Sequence, residues 1–581
     1  MHYNRLQLDL GGIWEMATGV DRPAEGWHPV AVPGTVNTIF PDLTYYEGVL
    51  WYRRSLELPV RPTPDHVWRW IFKGANYLTE VWADGHRLGE HRGGYTEFAL
   101  DWPEAGEGRH TVEVRVDAAL GRTRLPHLDS DWFNYGGLYR PVRVELVPPL
   151  RIDAVQVATP RRNGDFGLEV NITLGSRFGG EAGPMELDLE LTGEGLTEPV
   201  RVSRACSAPG QVAISVPSER LRTIRPWELG DAHLYTLQLR LVRDGHVWDA
   251  AHELVGFREI ALSGHEILVN GHPVRLLGVG KHDEHVQLGR TIPLAQYQKE
   301  LELMRRANIN AFRTSHYAPA EEVVDLADQL GIGVILEGAP FFHTGYPKPH
   351  LYAQFSDSDA VTDGTRQLTE AVRTFSNHPS VLMWSIGNEM GTGREGAEEF
   401  VAGRVAAVRA MDPSRPIGFS GIAIKPGQHA ISERAADLVD YIDAHFYAGW
   451  YDVDEYGTVE DSLALLDELH RRWPDKPILI GEFGADALPG YRSFEHARWS
   501  EDYQAALISR LVAEYARRPF VAGMFIWHLY DFRTPPRRAL RRAHEFNHKG
   551  ILDENRRPKL AYDAVRRVYG QIARGEGLPV E

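Results

Sequence analysis

The sequence predicts two all-β sandwich domains followed by an α/β domain folded as a (β/α)8 barrel. Three observations carry that prediction. The chain has 581 residues, more than a single hydrophobic core organises. Its first 257 residues run in short alternating stretches broken by Gly, Pro and Asp, the mark of half-buried antiparallel strands. Beyond that point apolar runs alternate with helical periodicities.

Residues 1–147 contain WYRRSLELP, TEVWADGHRLGEHRG, HTVEVRVD and VRVELVP, and predict a first sandwich. Residues 148–257 repeat the pattern in IDAVQVAT, FGLEVNITL, MELDLELTG and YTLQLRLV, a unit of immunoglobulin size. Residues 258–581 supply eight apolar strands: PVRLLGVGKH, NAFRTSH, GVILEGA, VLMWSIGNE, PIGFSG, YIDAHFYA, PILIGEFG and GMFIWHLYDF. Near-continuous apolarity fits strands covered on both faces, as in a parallel barrel. The intervening stretches LAQYQKELELMRRAN, AEEVVDLADQLG, GAEEFVAGRVAAVRA and VEDSLALLDELHRRW have the helical period.

With 43% hydrophobic and 25% charged residues the composition is that of an ordinary globular protein, not a disordered chain. A net charge of −17 argues against nucleic acid or an anionic membrane as partner. The one basic run, Arg537, Arg538, Arg541 and Arg542, reads as a solvated face. Cys206 is the only cysteine, which excludes an intrachain disulfide and a Cys-based metal site. No stretch approaches the ~20 apolar residues of a membrane-spanning helix. The opening MHYNRLQLDLGGIW lacks a basic segment followed by an apolar one, so no secretory leader is expected. A cytoplasmic protein is the expectation.

Barrels of this kind place their working residues at the C-terminal strand ends. Here those ends are polar: His282 and Asp283, His316, Glu337, Asn388 and Glu389, His445 and Tyr447, Glu482, then Trp527, His528 and Asp531. A carboxylate directly after a run as apolar as VLMWSIG or PILIG needs a reason, because burying it unpaired is costly. Glu389 and Glu482 close the fourth and seventh strands, and strands three apart face each other across a small barrel. Two convergent carboxyls suit glycoside cleavage, where one protonates the leaving oxygen and the other attacks or activates water. Trp384 and Trp527 are candidate apolar walls.

The stretches WYRRSLELP, FNYGGLYRPV, GVGKHDEH, AFRTSHYAPAEEVVDLADQLGI, NHPSVLMWSIGNE, FYAGWY, PILIGEFGAD and NHKGILDENRRPK together resemble glycoside hydrolase family 2, and within it the β-glucuronidases. The resemblance runs through the whole chain. It implies a jelly-roll sugar-binding domain, an immunoglobulin-like domain and a catalytic barrel. It further implies a retaining exo-β-glycosidase without a cofactor or metal, with Glu389 as acid/base, Glu482 as nucleophile and Asn388 on the sugar 2-hydroxyl. Asp131, in SDWFNYGG, matches the residue that the sandwich extends into the family's active site. His282, His445 and Tyr447 match positions around the sugar. Asn547 and Lys549 match an Asn-x-Lys that grips the C6 carboxylate of glucuronic acid, with Tyr451 adding a hydroxyl on the carboxylate side and Trp527 lining the ring. A lysine there makes chemical sense for a uronate, since it gives a charge-assisted hydrogen bond.

Two positions depart from the β-glucuronidase pattern: His445 replaces an asparagine, and Ala543 an arginine, although Arg541 and Arg542 lie close. Both departures touch the uronate end and leave a β-galacturonide open. The segment FFHTGYPKPHLYAQF after the third strand is short and implies an open mouth. Other readings left open are a neutral-sugar enzyme such as a β-galactosidase, a non-catalytic carbohydrate-binding protein, and a metal-dependent hydrolase using His282, Asp283, His285 and His316. The expected partner is a small glycoside or oligosaccharide, with neither nucleic acid nor membrane. A homo-oligomer, dimer or tetramer, is expected.

Overall fold

The computed structural model describes residues 1–60, 66–103, 105–176, 184–339, 347–537 and 542–576. Arg538, Arg541 and part of the 341–355 segment lie outside the described residues.

In the first sandwich a six-stranded sheet runs His28–Val32, Gly12–Thr18, Val49–Leu58, Gly108–Asp117, Leu78–Ala83, His86–Arg92. It packs on a four-stranded sheet ordered Gln7–Asp9, Val142–Val147, Val67–Phe72, Phe98–Trp102. Alternation places Val112, Val114 and Val116 inward, where they meet Trp14, Tyr52, Trp68 and Trp70. The second sandwich packs Leu150–Ala158, Leu168–Ser176 and Gly210–Val216 against a five-stranded sheet that includes Tyr235–Arg243 and His246–Val255. Residues His2–Tyr3 extend this second sheet, pairing with Ala251 and His252 rather than joining the first sandwich. Arg5 fixes that crossing, with its guanidinium 2.8 Å from both Glu145 and Asp249.

Eight parallel strands follow. They are β1 Leu276–Gly280, β2 Ala311–Arg313, β3 Gly333–Glu337, β4 Val381–Asn388, β5 Ile417–Ser420, β6 Ile442–His445, β7 Ile478–Phe483 and β8 Val521–Ile526. Their order in the sheet is β5-β4-β3-β2-β1-β8-β7-β6, sequential around a barrel. The β5–β6 seam is bridged at its ends, where Asp440 N donates to Ile417 O and Ile422 N to Asp443 O at 2.8 and 2.9 Å. A small three-stranded meander, Ile260–Ser263, Glu266–Val269 and His272–Val274, covers the bottom through Ile260 and Ile267.

The four helical stretches read from the sequence form where expected, as α1 Leu294–Arg306, α2 Glu321–Leu330, α4 Ala397–Met411 and α5 Val459–Arg472, and a further helix, α3 Ser358–Phe375, lies between α2 and α4. Helix α5 opens with a capping box between Thr458 and Asp461. Helix α2 ends at Gly331 in the left-handed region, where a Cβ would sit 2.7 Å from Gly230 N. The sandwich is locked onto the barrel mouth. Arg140 reaches Asp283 at 3.2 Å, Lys73 reaches Glu321 at 2.5 Å, and Phe133 N donates to Arg533 O at 3.0 Å.

Candidate active site

Glu482 lies in β7 and Glu389 directly follows β4, and their side chains converge above the barrel. One oxygen of each lies within 4.8 Å of the other, with His445 Nδ1 inside the same radius. Both oxygens of Glu482 are engaged: Arg313 Nη2 donates to Oε1 at 2.5 Å, and the Tyr447 hydroxyl to Oε2 at 2.7 Å. A charged donor favours the anionic carboxylate. Arg313, fully buried at the end of β2, also binds Glu337 and approaches Asn388 Oδ1 at 3.4 Å. Two buried carboxylates thus share one buried guanidinium. Burial and the neighbouring Glu482 push the Tyr447 hydroxyl well above its ordinary range, keeping it a donor.

Glu389 has φ +45°, a conformation that costs a non-glycine residue energy. Its amide donates to Ser420 O at 2.8 Å and holds that turn. His445 Nδ1 meets Glu389 Oε1 at 2.9 Å and Glu482 Oε2 at 3.6 Å. Its Nε2 meets Ser420 Oγ at 3.0 Å, and Ser420 donates to Asp443 at 3.0 Å. Burial opposes the imidazolium, but Glu482, Glu389 and Asp443 outweigh it and raise His445 above its usual range. Burial pushes the Asp443 carboxyl up to about 6, against the pull of His445 and Arg313.

The wall beside this pair carries Trp527, stacked on His316 at 5.1 Å and edge-on to His282 at 5.4 Å. His282 is fully buried and, chiefly through burial, kept neutral. Its Nδ1 lies 3.3 Å from the Tyr317 hydroxyl, and its Nε2 has no partner among the described residues. The Asn388 Nδ2 is likewise unpartnered there. Buried donors without partners are expensive unless a ligand meets them.

A second cluster adjoins Tyr447. Lys549, fully buried, donates to Asp486 Oδ2 at 2.5 Å and lies 4.8 Å from the Tyr451 ring and 5.7 Å from that of Tyr447. Arg542 reaches Asp131 at 3.1 Å and Asp486 at 3.6 Å, and Asn547 Nδ2 reaches Asp131 at 3.4 Å. Burial opposes the Asp486 carboxylate, but Lys549 and Arg542 outweigh it and hold its pKa low. The loop is buttressed from behind: His548 contacts Asp531 at 2.9 Å, and Lys559 donates to Asp531 at 2.7 Å.

Residues 260–574 match the family model for the TIM barrel domain of glycosyl hydrolases family 2, and residues 9–148 match its sugar binding domain. The chain belongs to glycoside hydrolase family 2. A β-glucuronidase from Felis catus is 31% identical, covering 94% of this chain and 86% of its own. A family 2 β-galacturonidase from Eisenbergiella tayi, solved with galacturonate, superposes with TM-score 0.86 at 26% identity, covering 100% and 99% of the two chains. A β-D-glucuronidase from Dictyoglomus thermophilum gives 0.84 at 27% identity, covering 98% and 97%. The protein is therefore a glycoside hydrolase, with two sandwiches preceding the barrel.

Within this family 2 framework the structure gathers Glu389, Glu482, Asn388, His445, Tyr447, His282 and Trp527 around one centre. Asp131, Tyr451, Asn547 and Lys549 form the adjoining cluster. Trp384 departs from expectation: its indole donates outward to Asp412 at 2.8 Å, so it packs between barrel and helices rather than lining the mouth. The set His282, Asp283, His285 and His316 is not drawn into a ligand group among the described residues. Asp283 instead accepts from the Tyr297 hydroxyl at 2.7 Å, the Ala320 amide at 3.0 Å and Arg140. Among the described residues Asp325, Asp328 and His378 also lie close enough together to hold a cation, with His378 and Asp328 in contact at 2.6 Å.

Sequence reasoning passed over Arg313, Asp443, Asp486 and the placement of Arg542. The first three carried a usable signal, each being a charged residue inside or just after an apolar barrel strand. Arg542 did not, because its placement goes with the turn at His544 and Glu545, with φ +54° and +64°, which no local pattern announces.

Proposed function

We propose that the protein is a retaining exo-β-glucuronidase that cleaves terminal β-glucuronides by double displacement. Glu389 donates a proton to the glycosidic oxygen while Glu482 attacks the anomeric carbon, and a water activated by Glu389 then releases the sugar. The spacing of the two carboxyls supports retention, which requires about 5–5.5 Å rather than the wider gap of inverting enzymes. Asn388 and His282 offer their open nitrogens to sugar hydroxyls, and Trp527 lines the ring.

The observation that carries the substrate is the buried Lys549 with the partly buried Arg542, beside Asn547 and Tyr451 and adjoining the carboxylate centre. Their geometry is fixed by Asp486 and Asp131, so a uronate meets donors that are already oriented. A neutral hydroxymethyl group gains little there. The relatives named β-glucuronidase support the same reading. A second reading, a β-galacturonidase, is favoured by the likeness to the galacturonate-bound enzyme and by the departure at Ala543, in the loop that leads to Asn547 and Lys549. The two uronates differ only in the 4-hydroxyl, so rates on paired nitrophenyl β-glucuronide, β-galacturonide, β-glucoside and β-galactoside decide. Preference for either neutral sugar overturns the uronide reading.

The same reading takes the protein as a cytoplasmic homo-oligomer, dimer or tetramer. A lone, partly buried Cys206 suits a reducing compartment, and light scattering on the purified chain tests the assembly.

A further inference from the structure

His445 stands where the resemblance led us to expect an asparagine, and its contacts run to both carboxyl groups. The Ser420 hydroxyl has one hydrogen, which goes to Asp443, so Ser420 accepts from His445 Nε2–H. The other ring nitrogen, Nδ1, faces carboxylate oxygens at 2.9 and 3.6 Å. Both ring nitrogens therefore face acceptors, the arrangement of an imidazolium. Gly421 makes the room: a Cβ there would lie 2.8 Å from Glu389 Cγ and 3.0 Å from His445 Cε1.

We propose that His445 is a positioning residue that acts through both carboxyl groups, holding Glu482 as the anion and sharing one proton with Glu389. The proposal rests on the roles assigned to those two glutamates above. The groups that face it are Glu389 after β4, Ser420 of β5, Asp443 of its own strand, and Glu482 of β7. Tyr447 and Arg313 sit on Glu482, and Glu337 of β3 lies behind Arg313. Three of these are carboxyl groups, at 2.9, 3.6 and 3.7 Å from a ring nitrogen, and as anions they stabilise its charge.

The proton balance follows. In the resting pair the proton lies on Nδ1. It moves to Glu389 Oε1, and Glu389 then delivers a proton to the departing oxygen as the glycosidic C–O bond breaks and the bond to Glu482 forms. In the second half Glu389 takes a proton from the attacking water, the bond to Glu482 breaks, and the proton returns to the pair. Water is the only co-reactant. Two coupled sites hold their last proton at least as tightly as either holds it alone. The pair therefore keeps a proton available to higher pH than Glu389 would by itself.

The test compares wild type with His445→Asn and His445→Gln. The first measurement is the pH profile of kcat/KM on an aryl β-glycoside that wild type hydrolyses. The second is inactivation by the matching 2-deoxy-2-fluoro-β-glycosyl fluoride, whose leaving group needs no acid and which reports Glu482 alone. Without the imidazolium the acid limb of inactivation should move up by about one pH unit. The alkaline limb of kcat/KM should move down, so the bell narrows from both sides. The loss at the optimum should stay well short of the roughly 10²–10⁴-fold that general acid–base catalysis contributes. Two limbs fixed in place with a uniform loss, a rise in KM alone, or movement of only one limb overturns the proposal. Melting curves of both variants exclude misfolding as the cause, and the two substitutions must agree. If wild type ignores β-glucuronides, the substrate reading fails but this test proceeds on whichever glycoside is cleaved. If Glu482→Gln keeps turnover, the glutamate assignment itself fails.

Discussion

Replacing Lys549 with alanine separates the sugar question from the catalytic one, and the structure sets its size. The ammonium is fully buried, and one of its hydrogens already goes to Asp486, itself buried and 3.6 Å from Arg542. Truncating one partner of a desolvated charge pair costs about 2–5 kcal/mol. Because Asp486 shares this ammonium and Arg542 remains as a second cation, the loss on a uronate belongs at the lower end, about 2–3 kcal/mol. That is about a 30- to 150-fold fall in kcat/KM on β-glucuronides. Removing the lysine also leaves Asp486 buried with a weaker partner, which costs up to about 3–5 kcal/mol of stability. The double variant Lys549→Ala, Asp486→Asn restores neutrality and should recover much of the melting temperature without recovering uronide activity. The assay is the ratio of kcat/KM on nitrophenyl β-glucuronide to that on a neutral β-glycoside, which cancels general damage. An unchanged ratio in Lys549→Ala, or recovery of uronide turnover in the double variant, refutes the role given to Lys549.

The remaining predictions concern catalysis and pH. Glu482→Gln should lower turnover by at least about 10³-fold, since an amide is no nucleophile, and should leave no glycosyl-enzyme adduct by mass spectrometry. Glu389→Gln should hurt substrates with poor leaving groups far more than activated aryl glycosides, and added azide should yield the β-glycosyl azide; an α-azide contradicts retention. Burial works against the His378 imidazolium, but Asp328, Asp325 and Glu321 outweigh it and raise its pKa to about 9. A raised folded pKa means stability that is complete below about 6.5 and is lost as pH climbs through about 9, here on the order of 3 kcal/mol. The melting temperature of wild type should fall across that window more than that of His378→Gln, and parallel curves would count against the pairing.

The barrel was legible because parallel strands buried on both faces leave continuous apolar runs, and a carboxylate at the C-terminal end of such a run marks the catalytic rim. Glu389 and Glu482 stood out for that reason, and the alternation of Val112, Val114 and Val116 made the sandwich equally plain. Trp384 shows where such counting stops. It has the same parity as Asn388, so simple alternation places both on one face. The β4 register slips between Ser385 and Asn388, and Trp384 turns outward. The ion pair of Lys549 with Asp486, and that of Arg542 with Asp131, join residues far apart in the chain, one of them crossing from sandwich to barrel. No local period encodes such pairs. Their cost makes them informative once seen: a site that holds two cations against two carboxylates, one pair of them fully buried, keeps its charges fixed before any substrate arrives, and so favours a ligand whose own charge fits that pattern. The same holds for His445, which touches both glutamates only because strands β4, β6 and β7 curve toward one axis. What the sequence marks as a departure from its family becomes, through that curvature, a cation set between the two carboxyls.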